Sequence, residues 1–121
     1  MWNKYNAVAY LKNHAHASST SSCAKYVRLA IQGGGINVPR TLSAKDYGAK
    51  LEAVGFQAIP ADSELQPGDV VIIQPIPGHP YGHMAMYEGE IWISDFRQFH
   101  GFYPGQSYRA SHPAYQFYLH P

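Results

Sequence analysis

The run Val70-Val71-Ile72-Ile73 constrains the fold more than any other stretch of this 121-residue chain. Four consecutive β-branched residues are stiff in a helix and fit a pleated sheet, and the run is too short to be a helix. An unbroken apolar strand, lacking the alternation of a half-exposed one, is expected to be buried on both faces. Its entry is marked by Gln66-Pro67-Gly68-Asp69, where proline and glycine stand in the positions a tight turn requires.

The pattern ahead of that turn is helical. Ala7, Val8, Tyr10 and Leu11 recur at spacings of three and four, predicting a helix between Asn6 and Ala15. The polar stretch from Ala15 to Ser22 is rich in small hydroxyl residues that compete for backbone hydrogen bonds, so it reads as a loop. Ser21 or Ser22 can then cap a second helix, whose apolar positions are Cys23, Tyr26, Val27, Ala30 and Ile31 and whose stop is Gly33-Gly34-Gly35. Those glycines follow a helix instead of preceding one, so they do not form a phosphate loop. A third helix is predicted over residues 43–54, weakened by Gly48 and ended by Gly55.

Beyond Ile73 the pattern is that of strands. His83-Met84-Ala85-Met86-Tyr87 and residues 91–96 flank the turn Glu88-Gly89-Glu90 as a hairpin, and Tyr115-Gln116-Phe117-Tyr118-Leu119 is one further strand. Helices first and strands after indicate an α+β fold, with N-terminal helices packed on a small antiparallel sheet, and the length suits one domain.

Charge and cysteine content exclude several functions. Nine basic and eight acidic residues give a formal charge of +1 with no basic stripe, so nucleic acid is not an expected partner. No run approaches the ~20 apolar residues of a membrane span. The N-terminus lacks the charged and then apolar organisation of a secretory leader, so synthesis in the cytoplasm without a leader, or as part of a longer chain, is expected. His14 and His16 flank Ala15, and Pro80 and Gly82 prevent His79 and His83 from sharing a helix. No second cysteine or acidic cluster completes a tetrahedral site, so neither metal nor cofactor is expected.

Cys23, the one cysteine, stands where the second helix begins. Unpaired amides and the helix dipole at such a position favour the thiolate, and the same amides, that of Cys23 first, can hold an oxyanion. The plain alternative is a small residue buried between helix and sheet. His83 opens a strand after a Pro/Gly-rich loop, where its side chain can face a cleft. A three-residue turn centred on Gly89 would set His83 across from Asp95, a carboxylate able to fix the imidazole tautomer, whereas a one-residue change of register would set Phe96 there.

Three motifs, in order, resemble the NlpC-type and CHAP (cysteine, histidine-dependent amidohydrolase/peptidase) cell-wall hydrolases, a compact branch of the papain-like fold. They are Ser22-Cys23-Ala24-Lys25-Tyr26-Val27-Arg28, Leu65-Gln66-Pro67-Gly68-Asp69-Val70-Val71 and Gly82-His83-Met84-Ala85-Met86-Tyr87. The resemblance implies Cys23 as nucleophile, His83 as general base and Asp95 at the third polar position, with Ser22, Tyr81 and Gly82 contacting substrate. It implies cleavage of amide bonds in peptidoglycan stem peptides. Among its branches the chain looks most like the amidase effectors of type VI secretion, which act in the periplasm of a target bacterium and are blocked in the producer by a cognate immunity protein. A thiol acyltransferase or protein deamidase on the same scaffold, or a binding domain with a merely buried cysteine, are the alternatives.

Overall fold

The computed structural model describes Met1 to Pro121. In chain order the elements are α1 (Lys4–His14), α2 (Cys23–Gly33), a 3-10 turn (Ala44–Asp46) running into α3 (Tyr47–Ala53), β1 (Gln57–Ile59), β2 (Val70–Ile73), β3 (His83–Tyr87), β4 (Trp92–Ile93), β5 (Arg97–Gln98), α4 (Gln106–Ser111) and β6 (Tyr115–Leu119). The strands form one sheet in the order β1-β6-β2-β3-β4-β5 with every pairing antiparallel. This is the expected α+β arrangement of helices on a small antiparallel sheet.

β2 lies inside the sheet, bonded to β3 on one side and β6 on the other, and all four of its residues are buried. Its side chains alternate between two cores. Val70 and Ile72 face Ala7, Leu11, Val27, Ile31 and Leu51 of the three N-terminal helices. Val71 and Ile73 face a smaller cluster containing Trp92, Tyr108 and Phe117, against which Phe102 and Tyr103 pack. The aromatic rings meet at stacked and edge-on angles, as between Trp92 and Phe117 with centroids 5.7 Å apart.

The helix ends have local causes. Asn3 caps α1 by accepting from the amides of Tyr5 and Asn6, both at 3.1 Å, so that helix starts ahead of the predicted Asn6. Ser22 occupies the cap position of α2 but makes no side-chain cap bond, contrary to the expected serine cap. The predicted third helix is split, its first turn being 3-10 with Lys45 donating across to the Tyr81 carbonyl at 3.0 Å. Gly48 in α3 is explained by packing, since a Cβ there would stand 2.5 Å from the Tyr118 hydroxyl. β1, β5 and α4 are the elements with no counterpart among the predicted ones.

Because β2 is packed on both faces, Ile72→Ala and Ile73→Ala are each expected to cost about 3 kcal/mol in chemical denaturation. A cost below about 1 kcal/mol at either position would mean that its face is not a packed core.

Candidate active site

Cys23 is the first residue of α2 and His83 the first of β3, and α2 lies against β3. Both side chains line one cavity of about 500 Å³, together with Tyr81, Gly82, Asp95 and Tyr108. Ser22 faces a neighbouring groove that also reaches Cys23 and Tyr81. The backbone N–H of Cys23 donates to no other residue's backbone and to no side chain, so it is available at the cavity.

Gly82 sets the position of His83. Its φ is +72°, and a Cβ there would collide with the Ile73 carbonyl oxygen, so only glycine lets the loop turn sharply into β3.

The orienting partner of His83 is Gln98. The His83 Nε2 lies 2.7 Å from Gln98 Oε1, and the Gln98 Nε2 donates to the carbonyls of Phe102 at 2.9 Å and Gly101 at 3.4 Å. Carbonyls only accept, so the amide nitrogen of Gln98 must face them and its oxygen must face the histidine. The imidazole therefore carries its proton on Nε2 and leaves Nδ1 as the unprotonated nitrogen. Ser94, fully buried, places its hydroxyl 3.0 Å from the same Gln98 oxygen and 3.1 Å from Asp95 Oδ1.

Asp95 does not sit across from His83. β3 and β4 pair Met86 with Ile93 and Tyr87 with Trp92, and that register continued to the start of β3 brings Phe96 opposite His83. The cause is the turn: the Glu88 carboxylate accepts from the amides of Glu90 and Ile91, both at 2.9 Å, and Glu88 N–H donates to the Ile91 carbonyl. Four residues, not three, thus separate the strands. Asp95 turns instead to the loop ahead of α2, where Oδ2 accepts from the Thr20 amide, from the Thr20 hydroxyl at 2.9 Å and from the Ser22 amide at 3.3 Å. Ser21 between them has φ +60°, a left-handed turn that aims both amides at one oxygen and forms a small anion nest. Asp95 thereby holds the entrance to α2, the role expected of a serine.

Burial dominates the electrostatics. It pushes the Cys23 thiol up to about 11, against the opposing pull of the Met84 amide and with the Asp95 charge adding to the rise. The expected acidification at the helix start is thus outweighed. Burial also pushes His83 down to about 4, although Gln98 and Asp95 act in the other direction. For Asp95, burial alone would raise the carboxyl, but the hydrogen bonds from Thr20 and Ser22 outweigh it and hold the group below its ordinary value. Tyr108, buried with its ring 6.2 Å from that of His83, has its hydroxyl pushed up to about 12 by burial and then by Cys23. At neutral pH the site therefore holds a thiol, a neutral imidazole, a carboxylate and a protonated phenol.

Gln98 is not among the residues that the sequence singles out. Gln98 carries no motif and lies on a two-residue strand, so only the fold brings it to the imidazole.

The sequence pattern of the NlpC/P60 family matches residues 12–100. The native type VI effector-immunity complex Tae3-Tai3 from Ralstonia pickettii contains a chain that superposes with a TM-score of 0.94 at 50% identity, covering 99% of this chain and 100% of that one. The selenomethionine form of the complex gives 0.89 at 53% identity, over 94% and 99%. Ly7917 shares the fold at 18% identity and a TM-score of 0.60, over 95% of this chain and 62% of its own. No curated protein matches the chain.

The pKa shifts fix how stability varies with pH. Unfolded His83 takes up a proton near 6.5, whereas the folded protein does so only near 4, so stability should fall as pH drops from 6.5 to about 4. Denaturation midpoints across that window should decline less steeply in His83→Gln than in the parent, and equal slopes would contradict a neutral buried imidazole. Asp95 is shifted downward too, here by the hydrogen bonds from Thr20 and Ser22 against the effect of burial. Its contribution is present above the ordinary value of 3.8 and lost as pH falls through its lower folded value. Asp95→Asn should cost about 2 kcal/mol at neutral pH and flatten that acid limb.

Proposed function

The chain belongs to the NlpC/P60 family, and on that premise we propose that it is a cysteine amidase that hydrolyses amide bonds in peptidoglycan stem peptides. The observation that carries the reading is the Gln98-oriented imidazole, whose Nδ1 is left unprotonated on a residue that lines the same cavity as Cys23. Cys23 is the nucleophile, His83 the base and acid, and Gln98 the positioning residue. Asp95 organises the loop that carries Cys23 and supports the imidazole only through its field.

The raised thiol and lowered imidazole make the resting pair neutral. As Cys23 Sγ attacks the amide carbon, its proton passes to His83 Nδ1 and the carbonyl π-electrons move onto oxygen. The Cys23 amide donates to that oxyanion, and the Tyr108 hydroxyl, which has no hydrogen-bond partner in the protein, is available as a second donor. Collapse of the intermediate breaks the C–N bond, and His83 gives its proton to the departing amine. A water molecule, deprotonated by His83, then attacks the thioester, and Cys23 leaves with the proton returned to it.

The near-complete superposition on a chain of the Tae3-Tai3 complex, at half identity, supports an antibacterial type VI effector that works on the peptidoglycan of a target cell. In that setting a cognate immunity protein protects the producer, and the site of action is the periplasm. No helix is long and apolar enough to cross a membrane.

Purified sacculi treated with the protein should release peptides whose new termini, read by mass spectrometry, identify the bond. Equal release by Cys23→Ala would sink the mechanism. Gln98→Ala should lower kcat about 100-fold with little change in KM, because the imidazole loses its fixed tautomer. The profile of kcat/KM against pH should be a broad plateau from about 4 to about 11, set by a base that must be neutral and a thiol that must be protonated. An acid limb near 6.5 would show that His83 titrates as a solvated histidine.

A further inference from the structure

Ser94 is fully buried, and its hydroxyl has two neighbours of the same kind. Oγ lies 3.1 Å from Asp95 Oδ1 and 3.0 Å from Gln98 Oε1. Both neighbours are acceptors. The first belongs to a carboxylate, and the second is an oxygen because the Gln98 nitrogen faces the carbonyls of Gly101 and Phe102. A serine hydroxyl has one proton, so it serves one of the two and leaves the other contact without a hydrogen.

Charge decides between them. A hydrogen bond to a carboxylate is about twice as strong as one to a neutral group, and burial strengthens it further. Ser94 therefore donates to Asp95 and turns its oxygen toward Gln98. Two oxygens then stand 3.0 Å apart with no hydrogen between them, a contact that repels. Relief comes from the donor on the other side of the Gln98 oxygen, His83 Nε2 at 2.7 Å. That donor offsets the repulsion most when the imidazole is charged, because a charged donor makes the stronger hydrogen bond. Asp95 does not touch the imidazole, yet Asp95, Ser94, Gln98 and His83 form a continuous chain in which every member is buried.

Resting on the amidase reading above, in which His83 becomes an imidazolium as Cys23 attacks, we propose that Ser94 is a positioning residue for the base. Its hydroxyl, held by Asp95, presents the negative end of its dipole to Gln98 and so strengthens the acceptor that stabilises the imidazolium. The dipole is in place before the reaction, so the stabilisation requires no reorientation when charge develops. No proton leaves the serine. A hydroxyl pointed at Gln98 instead would set its positive end toward the imidazole and oppose the same charge. The two orientations thus shift the affinity of His83 for a proton in opposite directions.

The test is an NMR titration of the His83 ring in the whole protein, labelled at its histidines, with His83→Gln identifying the signal. The titratable groups that face this ring are Asp95 after β4, Cys23 at the start of α2, Tyr108 on α4 and His79 ahead of β3, and Ser94→Ala replaces none of them. In Ser94→Ala the His83 pKa should fall by about half a pH unit. On peptidoglycan peptides kcat should fall about threefold with KM unchanged. Asp95→Asn removes the charge that holds the serine proton, so the hydroxyl should swing to Gln98. Adding Ser94→Ala to Asp95→Asn should therefore raise the His83 pKa instead of lowering it, a coupling that a residue merely filling space would not produce. No change or a rise in Ser94→Ala, or the same fall in both backgrounds, would overturn the proposal. If Asp95→Asn does not fold, the single substitution decides. If the shifts have the expected signs but sacculi stay intact, the Ser94 assignment stands and the amidase reading falls. If sacculi are digested while the shifts are absent or reversed, the Ser94 assignment alone falls.

Discussion

The candidate site depends on one carboxylate. Asp95, buried in the turn after β4, accepts from both ends of the Thr20–Ser22 segment. That segment has no regular structure of its own, yet Cys23 follows it directly. Around this contact the two regions are stitched further, His16 donating to the Asp95 carbonyl and Arg97 donating through its guanidinium to the carbonyls of Lys12 and Ala15. The next residues beyond Asp95 lead to Gln98, which orients His83. One short stretch from Ser94 to Gln98 thus fixes the start of the thiol helix and the tautomer of the imidazole together. A displacement of that stretch would disturb both sides of the cleft at once.

How much of this was legible follows from where each signal resides. Val70–Ile73 was readable because four β-branched residues are a local pattern, and the alternation of its side chains between two cores followed from its burial on both faces. Cys23 at a helix start and His83 at a strand start were readable because the Gly33–Gly35 stop, the apolar spacing and the Gly82 turn are also local. The partner of His83 was not. It depended on whether the hairpin loop holds three or four residues, and the Glu88 carboxylate, which folds back on two amides, decided for four. β1 has three residues and α4 six with mixed polarity, too short for periodicity to register. The loop capture by Asp95 spans more than seventy positions and has no signature in the local pattern.

The electrostatic expectation for Cys23 failed for an instructive reason. A helix start lowers a thiol pKa when the thiolate is solvated or paired with a cation, but this thiol is buried, and no cation lies among the groups that shift it. The charge that shifts it is the Asp95 carboxylate, which disfavours a second anion. In the proposed mechanism this has a use. The amides at the start of α2 are not engaged by a resting thiolate, so their dipoles meet negative charge only as sulfur attacks and the carbonyl oxygen becomes an oxyanion. Interactions made in the transition state and absent from the ground state are the ones that raise kcat. Burial, which opposes the thiolate at rest, also removes the water that would otherwise screen those dipoles. A neutral pair in one cavity, with its imidazole fixed by Gln98 and its helix start fixed by Asp95, would thereby store its electrostatic stabilisation in orientation instead of in a standing ion pair.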